Sequence, residues 1–154
     1  MAIATSSFFP NVGGAEVTAH NLAKHLIENG HQVVMFVAWN NWRKIGPQKS
    51  GFDYKILPLF PGQQRLMPRL GRAYQFVQDR YFFFFQRKYK FDVWQSFGAY
   101  PSGVSVGRFT LPRNIPHVMR TVGYDIQKDP DIGYGYRFDP RIESLIQSWA
   151  PRSS

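Results

Sequence analysis

Residues 8–36 read FFPNVGGAEVTAHNLAKHLIENGHQVVMF, and this stretch predicts the fold of the chain. Behind the glycines, apolar residues recur at helical spacing, at Val17, Leu22, Ala23, Leu26 and Ile27. Gly30 follows the last of them, where a helix can end in a left-handed residue. The apolar run at 33–37 has the length of a strand covered on both faces. With a short strand at 2–6, these elements predict a β-α-β unit with parallel strands.

Two adjacent glycines, Gly13 and Gly14, lie where the first helix is predicted to begin. The first N–H groups of a helix have no partner within it, and they carry partial positive charge. Because glycine has no side chain, a phosphate or carboxylate can approach these groups closely. The alternative is a flexible turn whose glycines only satisfy backbone angles. The glycine pair alone does not decide between these interpretations.

The remainder of the chain continues the alternation of strands and helices. We predict strands at 54–59, 92–95 and 117–122, and helices at 72–88, from about 104 to 110, and at 140–149. Pro58 places the first of these strands at an edge or makes it a strand end. Three segments are predicted to be loops or irregular: 39–51, 60–71 and 123–135. This order predicts an α/β fold, a Rossmann-like parallel sheet with helices on both faces.

Ligands of such sheets bind beyond the carboxyl ends of the strands. The glycine pair, residues 96–98 and residues 123–125 follow three different predicted strands. We therefore expect all three segments to share one edge of the sheet.

The chain has 154 residues, 19 of them basic and 10 acidic, for a net charge of +9. This charge favours anionic partners, namely nucleic acid, an anionic membrane surface or phosphorylated small molecules. There is no cysteine, so thiolate nucleophiles, thiolate metal sites and disulfides are excluded. No signal peptide is recognised, and the longest apolar run, 81–85, is far shorter than a membrane span. We expect a cytoplasmic location, with a peripheral position on the inner face of the membrane as a further option.

A resemblance to a known family emerges from several motifs in order. Residues 8–36 resemble the start of retaining glycosyltransferases of family 4, the group 1 enzymes of the two-domain B fold. The matching residues are Phe9, Pro10, Gly13, Gly14, Glu16, Asn21, Leu22, Ala23, Leu26, Gly30, His31 and Val33. The segments FDVWQSFGAYPSG and IPHVMRTVGYDIQKDPDIGYGYRFDP resemble later elements of the same family. The resemblance extends over nearly the whole chain.

The resemblance implies a function for the chain and for a partner domain. The full enzyme would move a sugar from a nucleotide-sugar donor to an acceptor hydroxyl, on a glycan, a lipid-linked or a small-molecule acceptor. Neither a metal nor another cofactor is expected. Family members add a second domain with an E-x7-E motif, and nothing in this sequence corresponds to it. Residues 1–154 would therefore be the N-terminal half, truncated before its last strands and inactive without the C-terminal donor-binding domain.

The resemblance also implies roles for individual residues. Gly13 and Gly14 would bind the donor diphosphate. The segment after the fourth strand and the one after the fifth would form the acceptor-side edge, with Glu16, Ser96, Phe97, Gly123 and Tyr124. Glu16 would touch a ligand or stabilise the helix start.

A catalytic histidine cannot be transferred to this chain. Many family members have this histidine in the turn after the fourth strand, where this chain has Gln95, Ser96 and Phe97. Many also have a histidine after the fifth strand, where this chain has Val122. Asp125 is the candidate catalytic residue, either as a base or as an acceptor of a hydroxyl hydrogen bond. The alternative for Asp125 is a loop carboxylate that binds its own backbone.

The segment from Arg65 to Lys90 is both basic and aromatic. Arg65, Arg69 and Arg72 are candidates for contact with an anionic membrane surface. The alternative is a core helix that buries residues 82–85 and exposes its arginines to solvent. A nucleic-acid-binding module without catalysis is a competing function for the whole chain, although no known recognition motif is present.

Histidines give no reason to expect a metal. His20 and His25 are five residues apart rather than four, so they do not share one helix face in the usual ligand spacing. His31 falls in the family's turn, and His117 begins a predicted strand, where a structural role is expected.

Overall fold

The computed structural model describes residues 1–149, except for the side chain of Gln64. Its strands are Ala2–Thr5 (β1), Val34–Val37 (β2), Lys55–Pro58 (β3), Trp94–Phe97 (β4) and His117–Arg120 (β5). Its α-helices are Gly14–Glu28 (α1), Trp39–Ile45 (α2), Gln63–Tyr89 (α3), Val104–Thr110 (α4) and Pro140–Trp149 (α5). The alternation predicted from the sequence is thereby confirmed, and so is the final helix.

The five strands form one parallel sheet in the order β3-β2-β1-β4-β5. The central strand β1 is fully buried, as is β2, which explains their apolar sequences. Pro58 is the last residue of β3, and β3 lies at one edge of the sheet, as its proline predicts.

Helices cover both faces of the sheet. On one face Ala19 and Ala23 of α1 and Ile45 of α2 pack against Ile3 and Met35. On the other face α3 and α4 pack against the alternate side chains of the same strands. That second core contains Ala4, Phe36, Phe82, Trp94 and Phe109. The predicted Rossmann-like architecture with helices on both faces is confirmed.

Trp94 is the centre of the second core. Its indole stacks on Phe36 with ring centroids 5.4 Å apart and meets Phe82 edge-on at 5.1 Å. Its Nε1 donates a hydrogen bond to Gln86 Oε1 at 2.7 Å, so the one polar atom of the buried ring is satisfied. The high aromatic content of the chain is thus partly explained by one cluster between β1, β2, β4 and α3.

Two segments predicted to be irregular are helical. Residues 39–45 form α2, and residues 46–51 continue as a 3-10 turn. Residues 63–70 form the start of α3, which contains Pro68 and kinks at Gly71, where φ is 48° and ψ is −118°. In the first segment Ile45 packs in the core that α1 covers. In the second, Met67 is 1% exposed and packs into a third core with Tyr74 and Tyr100. This packing outweighs the helix-breaking residues.

Two residues predicted to line the edge of the sheet are instead inside it. Ser96 is fully buried, and its hydroxyl lies 2.9 Å from His117 Nε2. Phe97 is 2% exposed and packs in the core that α1 covers. The prediction was wrong because β4 extends to Phe97, two residues beyond its predicted end, so both side chains alternate between the two buried faces.

Helix α3 does not bury the whole phenylalanine run. Phe82 is fully buried, whereas Phe83 is 41% and Phe84 59% exposed. The helical period of 3.6 residues cannot turn four consecutive side chains to one face. The interpretation of residues 82–85 as entirely core is therefore wrong for the middle two. Within residues 1–149, no helix combines the length and the apolar character that crossing a bilayer would need.

Replacement of Phe82 tests the second core. We expect Phe82→Ala to lower the free energy of unfolding by about 3–5 kcal/mol, because it leaves a cavity beside Trp94. The matched control is Phe84→Ala on the same helix, which should change it by no more than about 0.5 kcal/mol. Urea unfolding followed by tryptophan fluorescence measures both. Equal effects of the two replacements would contradict the assignment of the core face.

His117 predicts a pH dependence of stability. Burial lowers the pKa of His117 from 6.5 to about 4, and its Nδ1 has no hydrogen-bond partner among residues 1–149. Between these pH values the unfolded chain binds a proton that the folded chain does not. The free energy of unfolding therefore falls by about 3 kcal/mol as the pH is lowered through this range.

The variant His117→Gln should lose this part of the pH dependence while keeping a polar group beside Ser96. Urea unfolding of both proteins at a series of pH values gives the two slopes. If the free energy of unfolding depends on pH equally in both proteins, the pKa of His117 does not differ between the folded and unfolded chains, and the prediction is contradicted.

Candidate functional site

The candidate site lies at the carboxyl edge of the sheet. Because β1 pairs with both β2 and β4, the chain leaves this edge in opposite directions from β1 and from β4. Such a topological switch point opens a crevice between the two connecting segments. The glycine pair follows β1, Gly98 follows β4, and Gly123 to Asp125 follow β5. These three segments reach the same edge, as the parallel strand order predicts.

The glycine pair begins α1, as predicted. Gly13 is the N-cap with an extended φ of −151°, a conformation open to any residue, and no side chain caps the helix. A Cβ on Gly14 would have no atom within 4 Å, so space is open there. At Gly13 the same position is 2.7 Å from Glu16 Oε2. Backbone angles therefore do not explain why glycines occupy these two positions. The open space at Gly14 allows a ligand to approach the start of the helix closely.

Glu16 is turned back onto the start of its own helix. It is 8% exposed, and its carboxylate accepts a hydrogen bond from the Ser7 hydroxyl. A carboxylate in the first turn also stabilises the positive end of the helix. The contacts of Glu16 favour a role in fixing the β1–α1 loop to the helix start, one of the two interpretations considered above.

Asp125 joins two loops of the edge. It is 1% exposed, and its Oδ1 accepts a hydrogen bond from the Val122 N–H at 2.9 Å. Its other oxygen accepts one from the Ala99 N–H in the segment after β4. Both carboxylate oxygens are engaged by backbone donors, which favours a positioning role over that of a base. The catalytic role stays a prediction, and the partner Ala99 was not expected.

Glycines allow these two loops to approach each other. Gly98 has a φ of +89°, and its N–H donates to the Arg120 carbonyl at 2.8 Å. A Cβ on Gly103 would lie 2.7 Å from the Gly98 carbonyl oxygen and 2.6 Å from Met119 Sδ, so only glycine fits at this position. Gly123 has a φ of +97°, and Tyr124 beside it is 40% exposed. Gly123 and Tyr124 follow β5 at this edge, and their acceptor-side role stays a prediction.

Asn41 is a contributor that the sequence analysis missed. It is 7% exposed, and its Nδ2 donates a hydrogen bond to the carbonyl of Phe8 in the loop that precedes the glycine pair. Helix α2 thereby holds this loop against the end of β2. The sequence analysis missed Asn41 because it predicted a loop for WNNWRKI at 39–45, where the structure has helix α2.

Histidines do not assemble near this edge. His20 lies within 2.6 Å of the Tyr54 hydroxyl and packs among Phe9 and Phe52. Within residues 1–149, no three of the His, Asp and Glu side chains come together in a way that would hold a metal ion.

Three solved structures similar to this chain show the same fold. The spinosyn rhamnosyltransferase SpnG matches with a TM-score of 0.54 and 12% identity, over 99% of this chain and 43% of its own. Its complex with thymidine diphosphate gives the same values. The glycosyltransferase VinC in complex with dTDP matches with a TM-score of 0.50 and 12% identity, over 100% of this chain and 46% of its own. This chain thus spans less than half the length of these proteins.

Comparison at the level of sequence identifies the family. No curated protein matches the chain significantly. The family model described as Glycosyltransferase Family 4 matches residues 12–121, well over half of the chain. That range includes the glycine pair, Glu16 and the whole of β4. It agrees with the sequence motifs and with the fold of the solved structures. The chain belongs to glycosyltransferase family 4.

Proposed function

We propose that this chain is the N-terminal, acceptor-side domain of a two-domain retaining glycosyltransferase. The whole enzyme would transfer a sugar from a nucleotide sugar to an acceptor hydroxyl. The observation that carries the proposal is the start of α1 at the switch point, where open space lies beside Gly14. Membership of the glycosyltransferase family supports it.

In this proposal the N–H groups at the start of α1 bind the donor diphosphate. Negative charge develops on the diphosphate as the bond to the sugar breaks, and fixed donors stabilise it without reorganising. Positioning of the two substrates supplies the remainder of the rate enhancement, and neither a metal nor another cofactor is required. Asp125 contributes by fixing the loops after β4 and β5 relative to each other.

A second domain supplies the other wall of the donor site in this proposal. The chain spans 43% of SpnG, a protein whose structure has been solved with thymidine diphosphate. A nucleotide bound between two domains would need a second domain in addition to this one. The 154-residue chain by itself is therefore expected to be inactive, with its diphosphate site open on one side.

The decisive experiment uses the whole enzyme. Sequencing downstream of Ser154 tests whether a second domain follows, and the enzyme that contains both domains is assayed with a panel of nucleotide sugars and acceptors. Gly14→Val should lower kcat/KM by on the order of 100-fold, because it blocks the anion's approach to the helix start. NMR of the product tests retention at the anomeric carbon.

The matched control for that variant is Gly51→Val. Gly51 likewise has open space at the Cβ position and lies outside the edge of the sheet, so its replacement should leave kcat/KM unchanged. Equal kcat/KM for the two variants would refute the diphosphate role of the glycine pair. Sugar transfer by the 154-residue chain alone would refute its dependence on a second domain.

We also infer that α3 holds the enzyme on an anionic membrane from the cytoplasmic side. Its exposed side, here called the α3 outer face, carries Phe76, Arg80, Phe83, Phe84 and Arg87 at helical spacing. The Arg80 guanidinium lies 5.1 Å from the Phe76 ring centroid. Arg69 and Arg72 are exposed on the preceding turns, beside Leu66 and Leu70. Aromatic and basic side chains on one helix face favour an interfacial position.

Vesicle flotation tests the α3 outer face. We expect the chain to float with vesicles that contain phosphatidylserine and not with phosphatidylcholine alone, because each arginine adds about 1 kcal/mol at an anionic surface. Phe83→Ser combined with Phe84→Ser should abolish flotation, whereas Ile132→Ser, which changes an exposed apolar residue elsewhere, should not. Equal flotation with both lipids, or salt-sensitive binding to RNA or DNA alone, would refute the membrane role.

A further inference from the structure

A cavity of about 400 Å³ opens at the carboxyl edge beside the switch point. Most of its walls come from the segments that follow β1, β2 and β3, with Ser6, Asn40 and Phe60 among them, and Pro101 contributes from the segment after β4. The sequence analysis assigned a role to Arg65, as a candidate for membrane contact, but no ligand site to this place. Its position on the edge where the diphosphate is proposed to bind makes it a candidate for the second substrate.

The start of α3 forms one wall of the cavity. Gly62 is the N-cap, with a φ of 80°, and no side chain caps the helix. The Arg65 and Leu66 N–H groups donate to the Gly62 carbonyl at 3.1 and 2.7 Å. Among the described residues the Gln63 N–H has no such partner, so it is left for an outside acceptor. Arg65 lines the same wall, and none of the acidic residues within 1–149 contributes to the cavity. The electrostatic potential in the cavity thus favours an anion.

Gln63 provides an independent observation. It lines the cavity and is only 7% exposed, yet its Nε2 has no hydrogen-bond partner among the described residues. A buried amide donor without a partner destabilises the folded protein. The Nε2 atom itself is closed off from solvent, so the amide has to turn into the cavity to meet a ligand. Such a residue in a cavity wall is explained if it turns in this way and a ligand oxygen completes the hydrogen bond.

We propose that this cavity binds the phosphate or carboxylate group of an anionic acceptor, held by Gln63, Arg65 and the start of α3. Trp39 and Phe60 offer aromatic surface to the sugar or other body that carries the group, and Asn40 offers an amide. Ser6 lines the cavity, while the adjacent Ser7 binds Glu16 beside the glycine pair. The acceptor and the donor diphosphate therefore flank one loop. The assignment of the anion to an acceptor rests on the proposed function.

The experiment titrates the 154-residue chain with inorganic phosphate and separately with acetate, by NMR and by thermal unfolding. Arg65→Gln should weaken binding about ten-fold or more, the effect of losing one charge-assisted hydrogen bond. Lys44→Gln on α2 makes the same change of charge outside the cavity and should have no effect. Tighter binding of phosphate supports a phosphorylated acceptor, and tighter binding of acetate supports a carboxylate.

Gln63→Leu distinguishes a ligand-binding role from a structural one. Because it removes an unpartnered buried donor, it should raise the Tm of the free chain and also abolish the Tm increase caused by the anion. A lower Tm together with unchanged anion binding would overturn the role of Gln63. Should the variant fail to fold, the comparison of Arg65→Gln with Lys44→Gln decides.

The glycine pair is the other place where a small anion could bind. Anion binding that is lost in Gly14→Val but kept in Gln63→Leu and Arg65→Gln would overturn the cavity proposal and leave the proposed function standing. Anion binding at the cavity in an enzyme that transfers no sugar would instead refute the proposed function and, with it, the acceptor assignment. No binding of phosphate or acetate would overturn the cavity proposal outright.

Discussion

The pairing of β1 with two parallel neighbours is the constraint on which the site depends. Because of this pairing, the chain leaves β1 on one side of the sheet, toward β2 and β3. Strands β4 and β5 then continue the sheet on the other side of β1. The crevice between these departures is where the start of α1 and the segment after β4 meet solvent. An antiparallel β1 would send the glycine pair to the opposite edge from Gly98 and Asp125. The parallel hydrogen bonds of the four-residue strand β1 therefore decide which loops lie together at the site.

Polar side chains at this edge are largely used to fix the backbone. Asp125 ties the loop after β5 to the one after β4, Glu16 binds Ser7, and Asn41 holds the loop that leads to the glycine pair. A preorganised edge of this kind offers fixed N–H donors with few free ionisable groups. That arrangement suits a reaction in which charge stabilisation and positioning do the catalysis.

Helix α3 combines three environments along one element. Its start lines the cavity at the edge of the sheet, Phe82 lies in the aromatic core around Trp94, and its outer face exposes Phe84 to solvent. The kink at Gly71 separates the cavity end from the aromatic end. Any surface that holds the outer face of α3 therefore also orients the cavity through the same helix. The basic charge of the chain and its aromatic content thus converge on one structural element.

Although it missed α2 and the start of α3, the sequence by itself determined the order of the strands, the family, and the edge where the segments that follow the strands meet. These follow from local signals, since hydrophobic periodicity, glycines and prolines act over a few residues. Only the tertiary structure decided that Ser96 is buried, that Asp125 binds Ala99, and that Gln63 lines a cavity without a partner. Each of these depends on where β4 ends or on residues far apart in sequence. No local pattern contains that information, because packing between distant segments creates it.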